Sequence, residues 1–380
     1  MSQLNKEIAR IDFEDIGKVG FEDVVKNITL DPSIAQYKPL SLYQVDPRSG
    51  DRVVYSEARA KRPHDTVDAT EGEKTNASRA TADKGCVVCE GKTTGIIDSA
   101  PISEGFTFIN KNLFPVVYPF EIGSVEKSPS DNPFARTGHR VVGAHFLQWP
   151  SNLHDSDFHN MSQEDVFVVL KRLCVLEQKL LHSPGSGMPL SHRLPDGDHY
   201  GYIGVIKNVG RLVGGSLVHG HHQIVHTNIK PRRVEEDERF RQNFGQNFSE
   251  YILKENPPEY TLKEYDHGAV LIVPYFMRRP LHAMIVVSND SNGYLHHLSE
   301  GTLYSLCLAI RDVSRAVVEL MPRLGRELAY SWIVHEGGIG GMYIEVLPWT
   351  QEMGGYEQLG IYLCQNSPGT TVKHYRELIL

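Results

Sequence analysis

Several things are scarce in this chain. No window approaches the run of about 18 uninterrupted apolar residues that a spanning helix needs, so no membrane segment is expected. The first residues, Met1-Ser2-Gln3-Leu4-Asn5-Lys6, lack the apolar centre of a secretory signal. There are five cysteines, an odd number at sparse spacing, which excludes a disulfide framework and fits a reducing, cytoplasmic setting. No basic run occurs and the net charge is -8, which argues against a nucleic-acid partner. It leaves room for a locally basic pocket that binds a nucleotide. A strong internal repeat is also missing.

What is present is an ordinary globular composition. Of the 380 residues 40% are hydrophobic, enough for one large core or two packed halves. Residues 1–40 are mixed and polar and read as an extension. Leu42, Tyr43 and Val45, the turn Asp46-Pro47-Arg48-Ser49-Gly50, and Val53-Val54-Tyr55 predict a hairpin. Residues 64–84 read as a mobile loop. Helical spacing is expected over Met161–Leu181, with Ser162 as N-cap, and over Leu298–Leu320. Arg233–Leu253 reads as a charged helix and Ser183–Asp198 as a loop. Strands are expected at Phe106–Phe120, Val141–Leu147, Tyr202–Lys207, Leu217–Thr227, Val270–Tyr275, Ala283–Val287 and Met342–Leu347. The order is strands, helix, strands, given twice, which implies an α+β fold of two similar halves.

The densest chemistry lies in Gly214-Gly215-Ser216-Leu217-Val218-His219-Gly220-His221-His222-Gln223. If this is a strand, His219, His221 and Gln223 share a face. The plainer reading is a histidine-rich loop or one buried imidazole. A cluster directly after a glycine turn points instead to a nucleophile. Imidazole can attack phosphorus and leave again, splitting one displacement into two. An adjacent amide such as Gln223 can donate to phosphoryl oxygens. Glutamine cannot shuttle protons, which suits transfer better than hydrolysis.

Cys86-Val87-Val88-Cys89 supplies half of a tetrahedral zinc site. A redox pair is the rival, but no thioredoxin-like βαβ context surrounds it; two unlinked thiols are the plainest reading. Cys174, Cys307 and Cys364 sit in apolar settings and read as core residues. The remaining ligands must then be histidine or carboxylate, with His154 and His219 the best candidates. A third cluster, from Arg48 to Arg62, carries four arginines and a lysine. Such forks match phosphate oxygens, although a solvated charged face is the commoner meaning.

Together these segments resemble the galactose-1-phosphate uridylyltransferase family of the histidine-triad superfamily, over roughly residues 41–360. Arg59-Ala60-Lys61-Arg62-Pro63 is similar to the family's N-terminal hairpin, where the matching arginines face the nucleotide phosphates. Asn112 and Asn208 resemble pocket asparagines, and Gly214, Gly215 and Ser216 the lead into the catalytic motif. That motif is His-Pro-His-Gly-Gln in the family and His219-Gly220-His221-His222-Gln223 here. The resemblance implies His221 as nucleophile, Gln223 as its partner amide and Ser216 as a support for phosphoryl oxygens. It implies Cys86, Cys89, His154 and His219 as ligands of one structural Zn2+ per chain, with His159 in poorer register. Gly354-Gly355-Tyr356-Glu357 resembles a substrate-binding segment, which makes Tyr356 a binding residue.

Two departures bear on function. Many relatives place a His-x-His pair of a second metal site in the last strand. This chain has Gly341-Met342-Tyr343-Ile344-Glu345 there, so a second metal is not expected; His335 nearby reads as a core or pocket residue. Gln351 replaces a lysine ahead of the C-terminal Gly-Tyr-Glu, which puts the sugar in question, unless Arg278 or Arg279 supplies the charge.

The expectation is therefore two histidine-triad-like halves with antiparallel sheets and flanking helices. Residues 1–40 form an extension, 41–255 the catalytic half with the zinc site, and 256–380 a degenerate second half. The implied activity moves a nucleoside monophosphate, by resemblance UMP, from a nucleotide sugar to a hexose 1-phosphate through a nucleotidyl-histidine. The alternatives are a phosphorylase of the ADP-glucose type, a hydrolase, and a non-catalytic zinc-scaffolded nucleotide binder. The implied partners are nucleotide sugar and sugar phosphate, with a homodimer as the assembly.

Overall fold

The computed structural model describes residues 15–40, 42–62, 86–119, 132–134, 136, 138–184, 188–288, 293–337 and 341–379. The loop expected at 64–84 lies outside them. Fifteen strands are assigned within the described residues. β1 (Leu42–Val45), β2 (Arg52–Val54) and β5 (His139–Arg140) make a small sheet in the order β2-β1-β5. The expected hairpin is present, with Tyr43 opposite Val54. β7 (Leu190–Leu194) and β8 (Gly197–Tyr200) form a separate hairpin where a loop was expected.

The other ten strands form one antiparallel sheet. From the first half come β3 (Ile96–Pro101), β4 (Phe106–Lys111), β6 (Gly143–Trp149), β9 (Tyr202–Val209) and β10 (His222–Thr227). From the second come β11 (Thr261–Glu264), β12 (Ala269–Ile272), β13 (Ala283–Val287), β14 (Tyr330–His335) and β15 (Tyr343–Pro348). The order is β11-β12-β13-β15-β14-β9-β10-β6-β4-β3. Five strands of each half thus meet edge to edge at β9 and β14, where Ile206 faces Ile333 and Asn208 faces Ser331. The fold is α+β, as expected.

Helices lie on both faces of the sheet: Ile252 packs with Met284 and Val286 on one face, and Leu306 and Ile310 with Ile285 and Val287 on the other. α1 (Phe21–Thr29) and α2 (Pro32–Ala35) precede the first strands; α3 (Gln163–Leu181) starts at Ser162, whose side chain accepts from Asp165 N–H. α4 (Arg232–Phe244) stops at Gly245 in the left-handed region, and α5 (Phe248–Glu255) restarts behind a capping box at Asn247. The single charged helix expected there is therefore two. α6 (Glu300–Arg323) packs against α3 over the sheet; α7 (Gly355–Gln358) and α8 (Pro368–Arg376) end the chain. The core runs through both halves: Phe146, Val169, Leu173, Val205, Ile285, Leu306, Ile310 and Val317 belong to one buried cluster.

Residues 15–40 are better built than their composition implied. Ile16, Val24, Ile28 and Ile34 are buried in the same cluster. Asp98 and Asp15 both take hydrogen bonds from Arg172 on α3, which ties this segment to the helix. The signal was there: Phe21, Val24, Val25 and Ile28 follow the i, i+3, i+4, i+7 spacing of an amphipathic helix, within a segment whose overall composition is polar. Among the described residues no helix is long and apolar enough to cross a membrane.

Candidate active site and metal cluster

The site forms where the segments before β10 and after β9 meet β4 and β6. β9 ends at Val209, and the chain reverses through Gly210 to Ser216. Gly214 has φ of 79°, and a Cβ on Gly215 would come within 2.7 Å of the Gly210 carbonyl oxygen. Side chains larger than hydrogen do not fit this tight return.

His219 and His221 lie ahead of β10 rather than within it, which begins at His222. The expected single face of three side chains is therefore not formed. At Gly220, Asp157 Oδ2 lies 2.4 Å from where a Cβ would be, and the backbone passes the carboxylate without a side chain. Asp157 is held there by Lys207 Nζ at 2.9 Å. His219 turns to the cysteines, while His221 and Gln223 line a cavity of about 290 Å³.

Nine expected residues line that cavity: Arg59, Arg62, Asn112, Asn208, Gly214, Gly215, Ser216, His221 and Gln223. They are joined by apolar Leu147, Trp149 and Phe114, and by Lys92 and Lys111. Tyr356 is not brought there. It lies on α7 with 57% of its surface exposed.

The electrostatics are one-sided. Burial and the neighbouring Arg62 charge lower the Arg59 pKa to about 10. Its Nη1 donates to the Phe114 carbonyl at 2.8 Å, a neutral acceptor. Two adjacent cations with no carboxylate among the described cavity-lining residues favour an anionic ligand. His221 Nδ1 is 3.0 Å from the His219 carbonyl oxygen. That acceptor fixes the proton on Nδ1 and leaves the lone pair on Nε2. Burial pushes the His221 pKa down to about 4, so the ring is neutral near pH 7.

Asn208 is set by the second half. Ser331 Oγ donates to its Oδ1 at 2.8 Å, which leaves its amide N–H groups for the cavity. Behind Asn112 and Gln223, His145 is a residue that sequence reasoning missed. It is buried on β6, 3.0 Å from Asn112 Nδ2, and hydrogen-bonded to Gln223. Its signal was available: it alternates with Leu147 and Trp149, a polar residue on the cavity face of a strand.

Beside the cavity, Cys86, Cys89, His154 and His219 bring four ligand atoms within 4.8 Å of one another. Cys86 Sγ is 3.7 Å and Cys89 Sγ 3.6 Å from His219 Nδ1, and Cys89 Sγ is 3.5 Å from His154 Nδ1. Sulfur and nitrogen on one tetrahedral zinc would be about 3.6 Å apart. His219 Nε2 faces the Ser151 carbonyl at 2.9 Å, the outer partner that orients a ligating imidazole. These four residues could hold a metal ion, and the donor set suits zinc. His159 is not in the cluster.

The last strand shows what fills the expected His-x-His positions. Tyr343 donates to Asp237, and Glu345 lies 2.9 Å from His335 Nε2 and 3.4 Å from His282 Nε2. Gln351 is buried, its amide donating to the Leu363 carbonyl at 2.6 Å and accepting from Gln365 N–H at 3.0 Å. Arg278 lies over the Tyr362 ring and Arg279 over Trp349.

Solved structures of three kinds share this architecture. The chain has the uridylyltransferase fold. A uridylyltransferase structure aligns over 89% of this chain and 98% of its own, with TM-score 0.65 and 15% identity. An ADP-glucose phosphorylase from Arabidopsis thaliana, with bound ADP-glucose, aligns over 89% and 99%, with TM-score 0.60 and 18% identity. A GalT-like protein from Arabidopsis thaliana aligns over 76% and 90%, with TM-score 0.59 and 16% identity. No family model matches the chain, and no curated protein sequence does.

Proposed function

We propose that this protein is a nucleotidyltransferase that forms a covalent nucleotidyl-histidine on His221. The observation that carries the reading is the fixed, neutral imidazole of His221, its Nδ1 committed to a carbonyl, beside Arg59 and Arg62 in one cavity. In the proposed reaction Nε2 attacks the α-phosphorus of a nucleotide sugar, and the bond to the sugar 1-phosphate breaks. Arg59 and Arg62 hold phosphate oxygens, and the Gln223 and Asn208 amides and the Ser216 hydroxyl donate to the charge that develops. An acceptor phosphate then attacks the phosphorus, and Nε2 leaves. No further base is required, because the acceptor oxygen is already an anion.

The donor we favour is a uridine diphosphate sugar, with a hexose 1-phosphate as acceptor. Gln351 supports inorganic phosphate as the alternative acceptor. Its amide is consumed by Leu363 and Gln365, so the side chain that replaces the lysine neither carries charge nor is free to hold a sugar phosphate. Cys86, Cys89, His154 and His219 would hold a structural zinc that fixes the loop carrying His221. A homodimer would cover the exposed run Tyr356, Leu359, Ile361, Tyr362 and Leu363, and could carry Tyr356 toward a partner's cavity.

The test is a panel of radiolabelled nucleotide sugars, scored for label retained on denatured protein. The isolated labelled enzyme is then offered galactose 1-phosphate, glucose 1-phosphate and phosphate at equal concentration. Rapid selective discharge by galactose 1-phosphate supports the uridylyltransferase reading, and discharge by phosphate alone supports the phosphorylase. Absence of label with every donor defeats both.

A further inference from the structure

A second group of ligating side chains lies away from the cavity. His182 caps the C-terminal end of α3. Asp196 sits in the β7–β8 turn and His199 on β8. His296 and His297 belong to the 3-10 turn Leu295–His297 that leads into α6. One ligand atom from each lies within 4.8 Å of the others. None of the five lines the cavity.

Their orientation is convergent. Four imidazole Nε2 atoms approach the same Asp196 Oδ2: His297 at 2.7 Å, His182 at 3.0 Å, His199 at 3.6 Å and His296 at 3.7 Å. One carboxylate oxygen has two lone pairs and accepts about two such donors. Accordingly the buried Nε2 atoms of His182, His199 and His296 complete no well-formed hydrogen bond. His199 and the His296 side chain are 0% and 2% exposed, so bulk solvent does not reach these nitrogens.

The opposite ring nitrogens are committed elsewhere. His296 Nδ1 is 2.5 Å from buried Glu177 Oε1, and His199 Nδ1 is 3.2 Å from the Gly197 carbonyl. Both contacts place the proton on Nδ1 and turn the Nε2 lone pair inward. Carboxylate on one ring nitrogen and an open lone pair on the other is the arrangement that supports a metal-bound histidine. Nitrogen and oxygen ligands on one tetrahedral ion would stand about 3.3 Å apart, inside the observed spread.

We propose that His182, Asp196, His199 and His296, with His297 at their edge, form a second metal site for a first-row divalent ion of the zinc type. Imidazole and carboxylate without thiolate suit Zn2+, Co2+, Ni2+ or Fe2+ rather than Ca2+ or Mg2+. The site joins the end of α3 and the β7–β8 hairpin to the start of α6, and so clips the first half to the second. It replaces the expectation of one metal per chain, and it lies elsewhere than the last strand.

Metal content and cobalt titration of the full-length chain test the proposal. Wild type saturated with zinc should retain two equivalents. His199→Ala/His296→Ala should retain one, with the thiolate-to-cobalt charge-transfer absorption of the cysteine site intact. Cys86→Ser/Cys89→Ser should bind one Co2+ with d–d absorption and no thiolate band. Should either pair fail to fold, Glu177→Gln decides, because it keeps every ligand. It should weaken one equivalent about 10–100-fold and leave the thiolate band unchanged. One equivalent in zinc-saturated wild type overturns the proposal. So does a His199→Ala/His296→Ala protein with wild-type metal content, or unaltered affinity in Glu177→Gln.

Discussion

His221 and Gly220 show how much one position decides. His221→Ala should lose the covalent adduct and lower turnover at least about 10³-fold. Its melting temperature should stay near that of wild type. Adduct formation by the alanine variant would end the nucleophile assignment. Gly220→Ala keeps the imidazole and disturbs its seat. A methyl there meets Asp157 Oδ2 at 2.4 Å, and Asp157 is tied to Lys207. Overpacking of this kind costs about 1–3 kcal/mol. Displacing the nucleophile by about 1 Å should slow adduct formation on the order of 10²-fold. Denaturant unfolding and single-turnover labelling read the two effects separately. That His221 and Gln223 would share the cavity was legible, because residues two apart after a glycine turn point the same way. The place of His219 was not legible, because the backbone at Gly220 runs against Asp157, 63 positions earlier in the chain.

At the scale of elements, the metal cluster and the cavity share one short segment. Cys89→Ser should lose the metal of that cluster, lower the melting temperature by several degrees and reduce adduct formation along with it. The order of loss matters. Metal release from wild type by a chelator, followed over time, should precede or accompany the fall in labelling; labelling lost while metal stays bound would contradict a structural role. Helices α3 and α6 were legible from apolar repeats at helical period, and α3 also from Ser162, which caps it. The β7–β8 hairpin was hidden because Leu190–Leu194 and Gly197–Tyr200 are polar, and the Pro195-Asp196-Gly197 turn reads equally as loop. The histidine cluster it carries was hidden too. Its members come from three separated segments, and only the packing of α3 on α6 gathers them.

The whole molecule carries many histidines that are buried and neutral. His226 is 0% exposed and its pKa is lowered to about 4 by burial, against about 6.5 in an unfolded chain. Its folded pKa is the lower one, so its contribution is fully present above pH 6.5. It is lost as pH falls toward 4, to a total of about 3 kcal/mol. Buried His145 and His222 shift in the same direction. The urea midpoint should therefore drop steeply between pH 6.5 and 4, and His226→Leu should reduce that slope. A flat midpoint across this window would show that these rings are protonated in the native state.

The join between β9 and β14 has a consequence for dissection. Each half ends in a strand whose outer hydrogen-bonding groups are satisfied only by the other half. The stack of Phe158, His222 and Trp332 also spans the two. A fragment stopped at residue 255 would carry His221 with Cys86, Cys89, His154 and His219, yet present β9 as a bare margin. Such a margin recruits whatever strand it meets, including its own copy. Genetic complementation by separately made halves should thus depend on their being made together. The first half made alone should be recovered as self-associated material rather than as a smaller monodisperse protein.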